Sequence, residues 1–192
     1  MKINLNEIYK GLDEWRAERK ITTESQKEGY IINIMEELGE LASALRDYER
    51  FSVTGQDTAK KQKAEHEIID ALCDISVFTI NAGADIPCEN KISVIEKNIF
   101  QTYRTYETLL NVCGGYSVGF NAYAFNGVLR TCAVLCYKLG FDFQIAMDET
   151  IKEISSRIGA YDEKAKKWVK DTSDEAKAKW YKANYELARI KQ

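Results

Sequence analysis

Two short segments of the chain carry carboxylates whose spacing could support chemistry. The first is EELGE at residues 36–40, in which Glu36, Glu37 and Glu40 fall within about 100° of one another on a helix. Three glutamates within one turn repel each other unless water or a cation compensates their charge. For this segment alone, a solvated acidic surface and a cation site both stay open.

The second segment, HEIIDALCDISVFTINAGA at residues 66–84, is mainly apolar and predicts a largely buried helix. Glu67, Asp70, Asp74 and Asn81 nevertheless share an arc of about 60° on that helix. A buried carboxylate is unfavourable unless it is paired or binds a metal, and few basic residues lie on these two helices. Two facing acidic stripes would form an all-oxygen site for Mg²⁺ or Mn²⁺, whereas a satisfied structural network is the alternative.

The order EExxE, linker, ExxD is found here as EELGE at residues 36–40 and EIID at residues 67–70. It resembles the metal-binding signature of the MazG-like all-α nucleoside triphosphate pyrophosphohydrolases. The flanks EELGELASALRDY and EIIDALCDISVF, and the later GFDFQIAMDETIKEISSRIGAYDEKAKKWVKD, are similar to that family as well. The similarity covers residues 25–83 and 138–171.

The resemblance implies a Mg²⁺-dependent enzyme that hydrolyses a nucleoside triphosphate, with a weak lean towards deoxynucleotides, to a monophosphate and pyrophosphate. By motif position it implies four metal ligands: Glu37, Glu40, Glu67 and Asp70. Glu36 would be a carboxylate that orients water. Asp74, one turn beyond Asp70, would be a further ligand or the base for that water.

The resemblance also implies cations for the triphosphate near the end of the last core helix, where Lys152 and Arg157 match the family. The family's asparagine is missing from this stretch, so Ser155 or Ser156 could replace it as a hydrogen-bond donor. Trp15 or Tyr30 could contact the nucleobase, and aromatic core packing is the alternative for such residues.

Other functions were weighed against the same residues. A di-iron bundle needs ExxH motifs, and the single histidine, His66, has no glutamate three residues before it. A phosphoribosyl-ATP pyrophosphohydrolase is poorly separated from the preferred function by sequence. A non-catalytic nucleotide-binding protein is a third possibility, although the intact acidic set favours an enzyme.

The elements that must position these residues are helices, because the chain has one proline and little alternating polarity. The all-α prediction places helices at about 4–19, 24–50, 58–83, 89–112, 119–139, 143–158 and 174–190. We expect one domain, residues 1–192, of the all-α pyrophosphatase type. Residues 84–139 would be an inserted helical pair, and residues 51–60 a loop. Residues 159–192 would be a polar arm and surface helix, in which Lys164, Lys166 and Lys167 either close over substrate or stay solvated.

Composition limits partners and location. With 192 residues and a net charge of -3, the chain offers no basic surface for nucleic acid. The longest apolar stretch, residues 75–86, contains polar residues and is too short for a membrane helix. No secretory signal is recognisable at the N-terminus, and five cysteines without a CxxC pair suggest reduced thiols, so we expect a cytoplasmic protein. A homodimer stays open.

Overall fold

The computed structural model describes residues 2–54, 57–96, 104–164 and 167–191. Over these residues the chain forms seven α-helices: α1 Leu5–Glu18, α2 Thr23–Thr54, α3 Thr58–Ala82, α4 Tyr106–Gly119, α5 Ala122–Lys138, α6 Phe143–Ser156 and α7 Asp174–Lys177. Two short antiparallel pairs accompany them: β1 Lys2–Asn4 with β2 Val94–Glu96, and β3 Gly159–Asp162 with β4 Lys167–Lys170. Single 3₁₀ turns lie at Cys88–Asn90 and Tyr185–Ala188. The predicted all-α class is confirmed.

Helix α3 lies at the centre of the bundle, in contact with α1, α2, α5 and α6. Its side chains are buried on most sides between Ala64 and Ala82, as its apolar sequence predicts. Its most extensive partner is α2, and the two helices run antiparallel, with the Tyr30 hydroxyl 3.2 Å from Oγ1 of Thr79. The acidic residues of both helices are therefore carried on the longest packed surface of the molecule.

The helices α1, α2, α3, α5 and α6 lie close to their predicted positions. Helix α2 continues to Thr54, so the first part of the predicted loop at residues 51–60 is helical; residues 55 and 56 lie outside the described residues. Buried side chains from α1 to α6 and from the C-terminal 3₁₀ turn join one hydrophobic core.

The predicted helix at residues 89–112 is wrong. Ile3 pairs instead with Ile95 in the β1–β2 ribbon, and both side chains are buried, so β-branched residues of this segment cover the end of the core. The helix begins only at Tyr106, after Thr105 and Thr108 form a capping box. It ends at Gly119. Residues 97–103 of the predicted insertion lie outside the described residues.

The predicted surface helix at residues 174–190 is also wrong, apart from the single turn of α7. Backbone groups of this segment bond to other elements rather than to their own fourth neighbours. The N–H of Ala183 donates to Glu153, and that of Ile190 donates to the carbonyl of Gly140. Within the predicted polar arm, residues 159–162 and 167–170 pair as strands β3 and β4, and residues 165 and 166, including Lys166, lie outside the described residues.

No helix in the described ranges combines the length and apolar composition that a bilayer span requires. All five cysteines are free, as predicted, and only Cys88 is exposed.

Candidate active site

The facing surfaces of α2 and α3 bring together three of the predicted carboxylates: Glu37, Asp70 and Asp74. Burial raises the pKa of Glu37 to about 7, and the nearby charges of Glu40, Asp70 and Glu36 act in the same direction. Burial also raises the pKa of Asp74 well above its usual range, and Asp70 and Glu37 add to the effect. These acids thus form one electrostatic cluster.

Helix α6 supplies the positive charge that faces this cluster. Arg157, at the C-terminal end of α6, lowers the pKa of Glu37, Asp70 and Asp74. Its Nη2 also donates to Oε1 of Glu153 at 2.8 Å, and its buried Nε has no partner among the described residues. Arg157 therefore lies beside the acids, and its role as a phosphate-binding cation stays a prediction.

Glu153 is a site residue that the sequence analysis missed. It raises the pKa of Asp70 and Asp74, so it stands close to the cluster although it belongs to a different helix. The available signal was its position four residues before Arg157, which puts both on one helical face. An acid that is paired with an arginine on its own helix is readily explained as a structural ion pair. The sequence therefore did not indicate that Glu153 lies beside the cluster.

The remaining motif acids lie further out. Glu36 and Glu40 are exposed on α2, and both raise the pKa of Glu37. Glu67 is exposed on α3, where Nζ of Lys63 lies 3.3 Å from its carboxylate. Of the four expected ligands, Glu40 and Asp70 therefore both act on Glu37, with Glu40 at the exposed edge, whereas Glu67 is exposed and paired with Lys63.

The other expected substrate contacts are engaged within the protein. Lys152 donates to the buried carboxylate of Glu149 at 2.6 Å. Tyr30 lies in the core, with edge-on ring contacts to Tyr116 and Phe120. Its position is the one expected of an aromatic packing residue.

Trp15 takes part in a clamp on the end of α6. Its indole N–H donates to the carbonyl of Ile154 at 3.2 Å. Arg19, stacked between the rings of Trp15 and Trp168, donates to the carbonyls of Ser155 at 3.0 Å and of Arg157 at 3.3 Å. The last carbonyls of a helix lack partners within it, so these donors fix the point at which Arg157 leaves α6.

The C-terminal segment, residues 180–190, is the second feature that the sequence analysis missed. The hydroxyl of Tyr185 donates to Oδ1 of Asp70 at 2.5 Å, and it lies 3.0 Å from Oγ1 of Thr150. The N–H of Ala183 donates to Oε2 of Glu153 at 2.8 Å. This segment therefore spans α6 and α3 and holds one acid of the site on each.

A cavity of about 570 Å³ lies between the first half of α3 and the C-terminal segment. Its lining includes Lys63, Glu67 and Asp70 from α3, Glu153 from α6, and Lys182 and Tyr185 from the C-terminal segment. The volume is in the range of small-molecule sites. One side of the acidic cluster thus opens into a space that could hold a ligand.

The donor chemistry of the cluster fits a hard divalent cation, because its acceptor groups are carboxylates. Within the described part of the chain, no three histidine, cysteine, aspartate or glutamate side chains are arranged as a ready ligand set. The acids act on one another electrostatically, but their oxygens are not arranged around one point at which a metal ion could bind. Metal binding would therefore require side-chain rotation, for which the exposed Glu40 and Glu67 have room.

No protein-family model, curated protein or solved structure matches the chain. The resemblance to the MazG-like pyrophosphohydrolases accordingly rests on the motif residues and the segments quoted with them.

Proposed function

We propose that the chain is a Mg²⁺-dependent hydrolase that converts a nucleoside triphosphate, preferentially a deoxynucleotide, to a monophosphate and pyrophosphate. The observation that carries this proposal is the convergence of Glu37, Asp70 and Asp74, all with raised pKa, on the single guanidinium of Arg157. Because the negative charge of these acids is only partly compensated, binding of a divalent cation would stabilise them. The preference for deoxynucleotides comes from the family resemblance.

The proposed ligands are Glu37, Glu40, Glu67 and Asp70, with Mn²⁺ as a substitute ion. When bound, Mg²⁺ supplies charge stabilisation at the phosphates and lowers the pKa of a bound water. Asp74, whose pKa is raised, is suited to accept a proton from the attacking water, and Glu36 helps to orient that water. Arg157, which lowers the pKa of all three acids, is the proposed phosphate-binding cation.

The cytoplasm is the proposed location of this activity, because the five free cysteines suit a reducing compartment.

Phosphate transfer depends mainly on positioning and on charge stabilisation, and a cluster of acids beside an arginine can provide both. A homodimer is compatible with this arrangement.

The test is a panel of ribonucleoside and deoxyribonucleoside triphosphates, together with phosphoribosyl-ATP, incubated with Mg²⁺ and resolved by chromatography. We expect water to attack the α-phosphorus and the α–β bridging bond to break, so that monophosphate and pyrophosphate appear in equal amounts. A diphosphate with orthophosphate would contradict the mechanism. Turnover restricted to phosphoribosyl-ATP would reassign the substrate, and binding without turnover would favour a nucleotide-binding protein.

Asp70→Asn should lower kcat by at least about 10²-fold, because the variant loses a charged group at the reacting phosphates. Asp47→Asn is the matched control, since Asp47 is exposed on α2 away from the cluster. Equal turnover by the two variants would remove Asp70 from the site.

A further inference from the structure

Charged side chains line the cavity beside the acidic cluster, and most of them are neutralised by ion pairs with neighbouring residues. Glu67 is paired with Lys63 at 3.3 Å, and Glu153 with Arg157 at 2.8 Å. Glu186 is held by Arg189 at 2.6 Å. These pairs leave little uncompensated charge with which a ligand could interact.

Two side chains of the lining are exceptions. Asp70 accepts a hydrogen bond from Tyr185 but has no ion pair among the described residues. Lys182 is exposed on the C-terminal segment, and its ammonium has neither an ion pair nor a hydrogen bond within the described ranges. Both residues line the same cavity. The cavity therefore presents one carboxylate without an ion pair and one ammonium without a hydrogen bond or an ion pair among the described residues.

We infer that this cavity binds the pyrophosphate end of the substrate, with Lys182 as the cation that holds the departing group. A magnesium–pyrophosphate ligand carries both kinds of charge: its metal suits the carboxylate side and its phosphate oxygens suit the ammonium. Because it treats the ligand as part of a nucleotide substrate, this inference rests on the proposed function. It differs from the sequence-based expectation, which gave the role to Lys152 together with Arg157, because Lys152 is held by Glu149.

The arrangement explains why the cation comes from the C-terminal segment. Tyr185 and the N–H of Ala183 fix that segment to Asp70 and Glu153, so the residue between Tyr181 and Ala183 is held at the cavity. A lysine on a fixed backbone keeps its own flexible side chain. It can therefore follow the pyrophosphate as the α–β bond breaks.

The experiment measures binding of magnesium–pyrophosphate to the full chain by calorimetry, without any turnover. Wild type should bind it, and Lys182→Ala should bind about 10- to 100-fold more weakly, as expected for loss of one charge-assisted contact. Lys182→Arg should restore most of the affinity. Lys179→Ala is the matched control, because Lys179 is an exposed lysine of the same region that does not line the cavity.

Circular dichroism of each variant checks that the fold is retained. Equal affinity of wild type and Lys182→Ala, or no binding by wild type, would overturn the inference. The nucleotide panel separates this outcome from failure of the proposed function. Pyrophosphate binding that depends on Lys182 without nucleotide turnover would keep the site and discard the hydrolase, whereas turnover unaffected by Lys182→Ala would keep the hydrolase and discard the site.

Discussion

Single residues decide how much negative charge the site keeps at neutral pH. Glu37, Asp70 and Asp74 share one guanidinium, and burial raises the pKa of each. Tyr185 works in the opposite direction, because a hydroxyl that donates to Asp70 favours the charged carboxylate. The ionisation of Asp70 is therefore set by a residue more than a hundred positions away in the chain.

Replacing Tyr185 by Phe tests this control. The ring volume is kept while the donor is lost, so the pKa of Asp70 should rise further above its usual range. In the proposed hydrolase, the acidic limb of the pH–rate profile should move to higher pH, and more Mg²⁺ should be needed for half-maximal activity. Both are measured by steady-state kinetics across pH.

Tyr181→Phe is the control for this prediction. The hydroxyl of Tyr181 donates to Glu149 rather than to Asp70, and Glu149 keeps Lys152 and the N–H of Asn184 as partners. Its pH–rate profile should match that of wild type. If Tyr185→Phe also leaves the profile unchanged, the hydroxyl does not govern Asp70.

Residue spacing predicted those site members that lie on one face of a regular helix. The spacing on α3 placed Asp70 and Asp74 together, and the resemblance placed Arg157 near the phosphates. Glu153 and Tyr185 were missed because their approach depends on how α6 and the C-terminal segment pack against α3. No local pattern in a single sequence encodes that packing.

At the scale of elements, helical periodicity predicted a helix correctly only where the backbone N–H and C=O groups of a segment form hydrogen bonds with one another. Residues 180–190 contain a helical-looking sequence, yet the N–H groups of Ala183 and Asn184 donate to glutamates of α6. Residues 94–96 pair with residues 2–4 in a β-ribbon. In both places a distant partner replaced the local hydrogen bonds on which the prediction relied.

The clamp on the end of α6 makes a prediction at this scale. Arg19→Lys removes the planar guanidinium that donates to the carbonyls of Ser155 and Arg157 and stacks between two tryptophans. Leaving these part-buried carbonyls without a donor should lower the free energy of unfolding by about 1–3 kcal/mol. Urea denaturation followed by circular dichroism measures the change.

Arg46→Lys provides the comparison, because Arg46 is exposed on α2 and such surface changes usually cost less than about 0.5 kcal/mol. Arg19→Lys should also raise KM for the nucleotide, since Arg157 then leaves α6 at a less fixed point. A variant as stable as wild type would show that the clamp contributes nothing to the end of α6.

Over the whole molecule, the net charge of -3 hides an uneven distribution. The fold gathers acids of α2, α3 and α6 beside one half-buried surface, and the core that surrounds α3 prevents them from separating. Folding therefore works against the mutual repulsion of these groups. The stability of the metal-free protein should report that repulsion directly.

The expected pH dependence follows from the direction of these shifts. In the folded chain Glu37, Asp70 and Asp74 have raised pKa values, so between about pH 4.5 and 7 the folded state binds more protons than the unfolded state. Their contribution to stability falls as the pH rises through this window. In EDTA, thermal melting should therefore give a higher Tm at pH 5.5 than at pH 8.

Saturating Mg²⁺ should remove most of this difference by stabilising the ionised acids at pH 8, with a gain of about 2.7 kcal/mol at a hundred times its Kd. Glu37→Gln should raise the Tm of the metal-free protein at pH 8 and flatten its pH dependence, because it deletes an acid whose pKa is raised to about 7. Glu28→Gln, at an exposed position of the same helix, should do neither. If EDTA, pH and Glu37→Gln all leave the melting temperature unchanged, the acids do not repel one another in the folded protein and the case for a metal there is lost.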